Sequence, residues 1–358
     1  MTQKALLIHY PDPNVAEEAK GLAEAAGYEP TATVVQRYLS RSRMGIGVGK
    51  AQEVSAIVRE RGIDTVLFDS RLNASQTYNL AKLCKVEVKD REKLILEIFA
   101  RRATTAEAKL QVKLAELNYE LPRARDKVRM AKSGEQPGFF GLGKYEVDVY
   151  VRMMKRQVAV LRRKVEEVRG QRGVQRRQRD RAGLTTVAIT GYTGSGKTTL
   201  FNSLTGETKE AGGGAFTTLA PTTRSVYIEG RKVLFSDTVG FISRLPTYLI
   251  EAFKSTLEEV SLASVVLLLL DASQPADKFQ IAYESCMETL AELGVFPSRV
   301  FVVFNKIDLA RGAIDEMTRR LSIVEPVSIS AKTGEGLSEL ERRLSTTLSR
   351  IQETVIAH

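Results

Sequence analysis

The sequence predicts an α/β protein in three parts: a small α/β domain, an antiparallel coiled-coil helical hairpin, and a P-loop domain with a mixed, mostly parallel sheet. Short apolar runs alternate with helical patterns towards both ends of the chain, as expected of strands joined by helices into largely parallel sheets. The middle of the chain repeats apolar residues at 4-3 spacing, the seam of a coiled coil. A glycine-rich G-x4-G-K-T stretch follows an apolar run directly, the order found in strand–loop–helix phosphate sites.

Composition sets the outer limits. With 358 residues, 43% hydrophobic and 27% charged, the chain has the make-up of a folded globular protein and room for two or three domains. The longest apolar run, Val265 to Leu270, is too short for a membrane span and reads as a buried strand. The start MTQKALLIHY lacks the basic flank and long apolar stretch of a signal peptide, so a cytoplasmic protein is expected. Cys84 and Cys286 stand far apart with no histidine or cysteine cluster nearby, which reads as two reduced buried thiols. His9 and His358 are too isolated for a metal site or a histidine-based catalyst.

Residues 1–90 contain strand candidates at Ala5–Ile8, Ala32–Val35, Thr65–Phe68 and Val86–Val88. Between them lie a helix from Asn14 to Ala26 stopped by Gly27, one over Ala51–Arg61 stopped by Gly62, and one capped by Asn73 that ends near Cys84.

Residues 91–181 change period. Leu110, Leu114, Leu117 and Leu121 form one seam; Val147, Val151, Met154, Val158, Leu161, Val165 and Val168 form another. A glycine-rich break at 133–143 joins them, which predicts the hairpin. Arg123 to Arg181 holds 18 basic and 7 acidic residues, a surplus that accounts for the whole net charge of +10. A solvated coiled-coil face normally mixes signs to gain i,i+4 pairs. Arg152 to Arg181 instead has 12 basic against 3 acidic residues, which favours a polyanion-binding face, RNA above all.

Residues 182–358 carry the chemistry. Thr186–Ile189 runs into Gly191, Thr193, Gly194, Ser195, Gly196, Lys197, Thr198 and Thr199, with a helix following. Glycines let backbone N–H groups wrap phosphates, Lys197 reaches the outer ones, and the Thr198 hydroxyl suits Mg²⁺. Asp237, after a strand at 232–235, stands where a carboxylate holds the Mg²⁺ water shell, and the Gly240 N–H is placed to meet a γ-phosphate. The next residue, Phe241, can neither donate nor accept a hydrogen bond, so it cannot align an attacking water. The base is read further along. Val300–Phe304 ends in Asn305, Lys306 and Asp308, and the Asp308 carboxylate can accept from both N–H groups on a guanine edge. Asn305 would tie this loop to the phosphate loop, and the Lys306 stem would lie over the base. Ser330, Ala331 and Lys332 follow a further strand, with backbone suited to the guanine oxygen. A flexible loop at 211–219 can offer a threonine to Mg²⁺ only when a triphosphate is bound, the basis of a nucleotide switch.

These motifs resemble those of HflX, a ribosome-associated GTPase family of the translation-factor-related P-loop class. The resemblance rests on G-Y-T-x-x-G-K-T-T-L-F-N at 191–202, F-x-T-L-x-P-T-T-R at 216–224, D-T-V-G-F-I at 237–242 and R-L-P at 244–246. Ile95 to Phe99, Ala108 to Val112 and Gly47-x-Gly49-Lys50 add to it, so that it covers about 50 to 355. It implies a P-loop GTPase domain that hydrolyses GTP to GDP with catalytic Lys197, Thr218 and Gly240. It further implies Mg²⁺ held by Thr198, Thr218 and Asp237, with Thr217 the alternative switch threonine. As partner it implies the ribosome (large subunit, rRNA), bound through the N-terminal domain and basic hairpin, with splitting of ribosomes in stress or recycling. Two other readings stand beside this one: a nucleotide-gated adaptor with negligible turnover, and an ATP-dependent RNA-remodelling activity of the N-terminal domain at Gly47–Lys50. Three departures limit the resemblance. Residues 138–143, G-F-F-G-L-G, replace the G-P-G-E-T-Q-L-E found in many members, and Gly194 replaces a P-loop asparagine that binds potassium in related GTPases. The chain also ends soon after a last helix expected at Leu337–Ile351, leaving no room for an extra C-terminal domain.

Overall fold

The computed structural model describes residues 3–37, 42–132, 144–181, 184–208, 216, 221–252, 254–310 and 314–356. They fall into two compact units, Met1–Glu167 and Val168–His358.

The first unit opens with β1 (Gln3–His9), α1 (Pro13–Ala25), β2 (Tyr28–Val35), α2 (Val48–Arg61), β3 (Thr65–Phe68), α3 (Ala74–Cys84) and β4 (Glu87–Asp90). The strands lie in the order β2-β1-β3-β4 and every pairing is parallel. Parallel neighbours need crossovers, and the three helices supply them. Leu6 and Ile8 of β1 and Val66 and Phe68 of β3 are buried together with Val54 and Val58 of α2 and Leu80 of α3. Local chemistry places the helix ends close to where the sequence predicts them, except that α2 starts at Val48, three residues before the expected Ala51. Asp12 accepts from the Asn14 N–H at 2.8 Å with Pro13 as first helical residue, and α2 stops at Gly62 with φ 58°. Asn73 and Gln76 form a reciprocal capping box at 2.8 and 3.0 Å. β2 starts at Tyr28, earlier than the expected Ala32, and runs through Pro30. Proline is tolerated because β2 is an edge strand and its register with β1 shifts beside Ala5.

Three helices complete the unit: α4 (Arg91–Arg102), α5 (Ala106–Lys132) and α6 (Lys144–Arg181), the last continuing into the second unit. α4 buries Ile95, Leu96, Ile98 and Phe99, packing against α1, β3 and α5. Leu114 and Leu117 of α5 pack with Met154, Val158 and Val165 of α6, flanked by Leu110, Leu121, Val151 and Leu161, so the two 4-3 seams meet. The hairpin loop at 133–143 and the side chain of Val147 lie outside the described residues.

What roots α5 to the sheet is polar. One oxygen of Asp90 accepts from the Lys93 N–H and the Tyr119 hydroxyl, both at 2.9 Å. The other accepts from the Leu72 N–H at 3.1 Å and from Arg123 at 2.5 Å. Asp90 and Arg123 are both buried, and the Arg123 guanidinium also covers the Tyr119 ring. Burial and the neighbouring Asp90 push the Tyr119 hydroxyl well above its usual range. Arg91, next in sequence, is held between Asp69 at 2.6 Å and Glu18.

The second unit contains β5 (Thr185–Gly191), α7 (Lys197–Thr205), β6 (Thr222–Ile228), β7 (Arg231–Asp237), α8 (Thr247–Ala252) and α9 (Lys254–Ser261). It continues through β8 (Val265–Asp271), α10 (Ala276–Glu292), β9 (Val300–Asn305), α11 (Ile314–Arg320), β10 (Val327–Ser328) and α12 (Leu337–Ile356). The six strands run β10-β9-β8-β5-β7-β6, parallel except for the β6–β7 pair. This is the mixed, mostly parallel sheet expected. Val265 to Leu270 is buried throughout, because β8 is central and covered on both faces. Cys84 and Cys286 are free and buried, and burial raises their thiols to about 11 and about 12. No helix among the described residues is long and apolar enough to cross a membrane.

Removing the Asp90 carboxylate leaves buried Arg123 without its counter-charge. Asp90→Ala is expected to destabilise the first unit by about 3–5 kcal/mol, read as a lowered urea midpoint of its unfolding transition.

Candidate nucleotide-binding site

All five parallel strands of the second sheet discharge their loops at one edge, their carboxyl ends. In open α/β sheets that edge, where strand order reverses, is where ligands bind. Here the reversal falls at β5, which has β8 on one side and β7 on the other.

The loop from β5 to α7 needs two of its glycines outright. Gly191 has φ 145°, and a Cβ there would stand 2.2 Å from the Leu269 carbonyl oxygen. Gly196 has φ 95°, and a Cβ would stand 2.2 Å from the Asn305 amide nitrogen. Gly196 caps α7 without a side-chain bond, so the first N–H groups of the helix are left to a ligand. Lys197 is buried, donates to the Tyr192 carbonyl at 2.9 Å, and has its pKa lowered to about 8 by burial, against the opposing pull of Asp237. Ser195 is buried with no hydrogen bond to its hydroxyl, and Thr199 follows in the first turn.

Asp237, the last residue of β7, accepts from the Thr198 hydroxyl at 3.2 Å, and both side chains are buried. Two hard oxygen donors side by side beneath a phosphate loop fit Mg²⁺, which favours one or two protein oxygens plus phosphates and water. Among the described residues no cluster of three His, Cys, Asp or Glu offers an alternative metal site. Thr218 and Thr217, the candidate switch threonines, lie outside the described residues. So does most of the glycine-rich loop before them.

The segment after Asp237 is stitched to the phosphate loop by its backbone. The Phe241 N–H donates to the Gly191 carbonyl at 3.0 Å, and the Thr193 N–H donates to the Phe241 carbonyl at 2.7 Å. Thr238 donates its hydroxyl to the Ile189 carbonyl, and the Ser243 N–H donates to the Tyr192 hydroxyl. Gly240 is thereby set against Lys197 and Thr193, where a Cβ would come within 2.9 Å of the ammonium. The Phe241 side chain is 1% exposed, so it packs inward. Thr193 is engaged on its other side too, accepting from the N–H of Phe216, which is buried with φ 60°.

The base-reading loops converge on Asn305. Its side-chain nitrogen donates to the Ser195 carbonyl at 2.7 Å, and its oxygen accepts from the Ala331 N–H at 2.9 Å. Lys306, with φ 64°, points its ammonium to Asp271 at 2.6 Å. Asp308 is exposed at the mouth of the loop. Ser330 anchors a turn, accepting from the Thr333 and Gly334 N–H groups; Ser203 of α7 donates to the Ala331 carbonyl, and Lys332 is exposed. Asp271 and Tyr192 are the neighbours that motif reading missed. A lone carboxylate ending a six-residue apolar strand was the available signal for Asp271.

Gly47 and Lys50 lie elsewhere, in the first unit. Gly47 caps α2 and Lys50 pairs with Glu53 at 2.7 Å, which is the helix-start arrangement.

A nucleotide site of this build, on this sheet, makes the second unit a P-loop GTPase domain. Three family models tile the chain: "GTP-binding GTPase N-terminal" at 14–100, "GTP-binding GTPase Middle Region" at 102–179 and "50S ribosome-binding GTPase" at 186–306. The GTPase HflX of Methanocaldococcus jannaschii is 44% identical over 88% of this chain and 78% of its own length, and that of Thermococcus kodakarensis 40% over 93% and 78%. A solved GTP-binding protein of Sulfolobus solfataricus in complex with GDP is similar over 98% of this chain and 99% of its own, at 26% identity and a TM-score of 0.52. The chain belongs to the HflX family of GTPases.

The Lys197 titration has a signed consequence. If Lys197 holds the phosphates, binding needs its charged ammonium, so affinity for GDP is expected to be level just below about 8 and to fall above it. The slope approaches about tenfold per pH unit. Titration calorimetry in two buffers of different ionisation enthalpy should show proton uptake on binding only in the alkaline arm.

Proposed function

We propose that this GTPase is a slow, nucleotide-gated switch that binds the ribosome, at the large subunit and its rRNA, and couples GTP state to ribosome binding or splitting. On this reading the chain works as three parts: residues 1–90 and the basic hairpin at 91–181 hold the ribosome, and 182–358 hold the nucleotide in the cytoplasm. The observation that carries the proposal is the coexistence, among the described residues, of the 191–199, 237–241, 305–308 and 330–332 loops at one sheet edge with a basic helix face. Arg152, Lys155, Arg156, Arg162, Arg163 and Lys164 of α6 are all exposed, opposite a seam of Met154, Val158 and Val165. The "50S ribosome-binding GTPase" description of the matching model points the same way.

In the site, the amides from Thr193 to Thr199 would cradle the phosphates, and Lys197 would leave the Tyr192 carbonyl for them. Mg²⁺, held by Thr198, Asp237 and, with GTP, Thr218, would supply charge neutralisation at the phosphates. The Gly240 N–H would meet the γ-phosphate. A buried Phe241 orients no water, so a low intrinsic rate follows. The orienting group would come from backbone, another side chain or the partner. Asp308 would pair with the guanine edge, while Lys306 would lay its stem over the ring and Ser330, Ala331 and Lys332 would close the far side.

A route for the coupling would begin within the second unit. Asp237 to Phe241 lead into α8 and α9, and Glu258 of α9, buried, is ion-paired with Arg169 of α6. The same helix carries the basic face.

Two measurements test the reading. Asp308→Asn should shift preference from GTP towards xanthosine triphosphate; unchanged GTP affinity would remove the guanine assignment. Co-sedimentation with ribosomal subunits should fall steeply with salt and weaken further when Arg162, Arg163 and Lys164 are all changed to Gln. A salt-insensitive complex would return that face to the role of a solvated surface.

A further inference from the structure

We propose that Asp271 is a positioning residue of the base site: it tethers the Lys306 ammonium so that the lysine stem is laid out in advance across one face of the purine. This rests on the placement of Lys306 over the base given above.

Asp271 ends β8 directly beside Asn305 in the β8–β9 register, so it stands in the row of strand ends that builds the site. Its carboxylate is organised before Lys306 is considered. One oxygen accepts from the Ser273 N–H at 3.0 Å and the Ser273 hydroxyl at 2.5 Å, and the other from the Gln274 side chain at 3.3 Å. The Lys306 ammonium then reaches the second oxygen at 2.6 Å. Burial works to raise the Asp271 pKa, but the bonds from Lys306 and Ser273 outweigh it and hold the group ionised below its usual range. The carboxylate is thus a fixed post, and the lysine is the part that would otherwise move.

The other end of Lys306 is fixed as well. Its backbone takes the left-handed conformation, φ 64°, rare for a residue with a side chain. Asn305 before it is tied to both the phosphate loop and Ala331, and the Ile307 N–H after it donates to the Ile329 carbonyl at 3.2 Å. A side chain pinned at Cα and at Nζ has its methylenes stretched between. A free lysine would surrender rotamer freedom on covering a ring, whereas this one has done so before the nucleotide arrives. The tether acts on the face of the base, not its edge. It therefore contributes affinity and slow release to any purine that Asp308 admits, and leaves the choice between purines to Asp308.

The experiment compares full-length wild type with Asp271→Asn, Lys306→Met, the double variant and Lys306→Ala, using a fluorescent GDP analogue for affinity and release and IDP for discrimination. Methionine keeps an apolar stem but loses the tether; alanine loses both. Asp271→Asn and Lys306→Met are each expected to weaken GDP by about three- to tenfold, mostly through faster release, with the GDP-to-IDP ratio unchanged. The double variant should be no weaker than Lys306→Met, and Lys306→Ala should be weaker still. If Asp271→Asn costs as much in the Lys306→Met background as in wild type, Asp271 only stabilises its turn and the proposal fails. Wild-type affinity in Lys306→Met also overturns it, and that arm holds even if Asp271→Asn does not fold. Wild-type affinity in Lys306→Ala would sink the prior placement of Lys306 over the base, a distinct outcome.

Discussion

The buried carboxamide of Asn305 is the interaction on which the nucleotide site depends. Its donor and acceptor ends engage loops that leave two different strands, β5 and β10, so the phosphate loop at Ser195 and the turn at Ala331 are joined through the end of β9. An asparagine carries a donor and an acceptor on separate atoms of a rigid plane, so it can satisfy two backbone partners that stand apart. The constraint propagates to Gly196, which must lack a Cβ because the Asn305 nitrogen occupies that space. It propagates also to Lys306, whose unusual backbone begins where the tie ends. On the proposed reading, phosphate recognition and base recognition are in this sense one construction, since displacing Asn305 would loosen the cradle and the clamp together.

The first unit relies on a comparable device with a different purpose. Asp90 closes β4, caps α4 and clasps Tyr119 and Arg123 of α5, so one buried carboxylate joins strand, crossover helix and hairpin base. Apolar packing alone, being non-directional, would leave a long helix free to slide or rotate on a sheet. A buried ion pair favours a single geometry, because any slip leaves charges unpaired at several kcal/mol. A hairpin that is to carry a charged face to a partner has use for such a fixed root.

Much of this was legible in the residues. The strand–loop–helix order, the capped helices and the 4-3 seams follow from local rules, and the structure has them at Asn73, Gly62 and Met154 as read. The tie from Asn305 to the phosphate loop was legible too, from the N-K-x-D pattern after an apolar strand; its second bond, to the Ala331 N–H, was not. What could not be read was chemistry made by residues distant in sequence with no motif to announce them. Asp90 with Tyr119 and Arg123, Arg91 with Asp69 and Glu18, and Asp271 with Lys306 are such cases. Charged residues look solvent-facing in a linear pattern, and only the fold reveals which are buried and paired. β2 differs for the opposite reason: a proline at position 30 normally argues against a strand, and its edge position overrules that.

Phe241 shows how a residue can matter at a catalytic loop without a chemical side chain. Its ring is buried and its peptide groups form a two-bond bridge with Gly191 and Thr193, one bond in each direction. Burying an aromatic of this size anchors the backbone by about 2–3 kcal/mol, and the adjoining bridge sets where Gly240 lies relative to Lys197. A glutamine packed inward in the same place would bury an amide, at a cost comparable to the anchoring gained wherever that amide lacked a partner. The same burial that secures the loop therefore removes the water-orienting group from it. Hydrolysis and packing make incompatible demands on this one position, and in this chain packing is met. On the proposed reading, the water-orienting role would then fall to a neighbour on the chain or to a partner brought against the Gly240 edge.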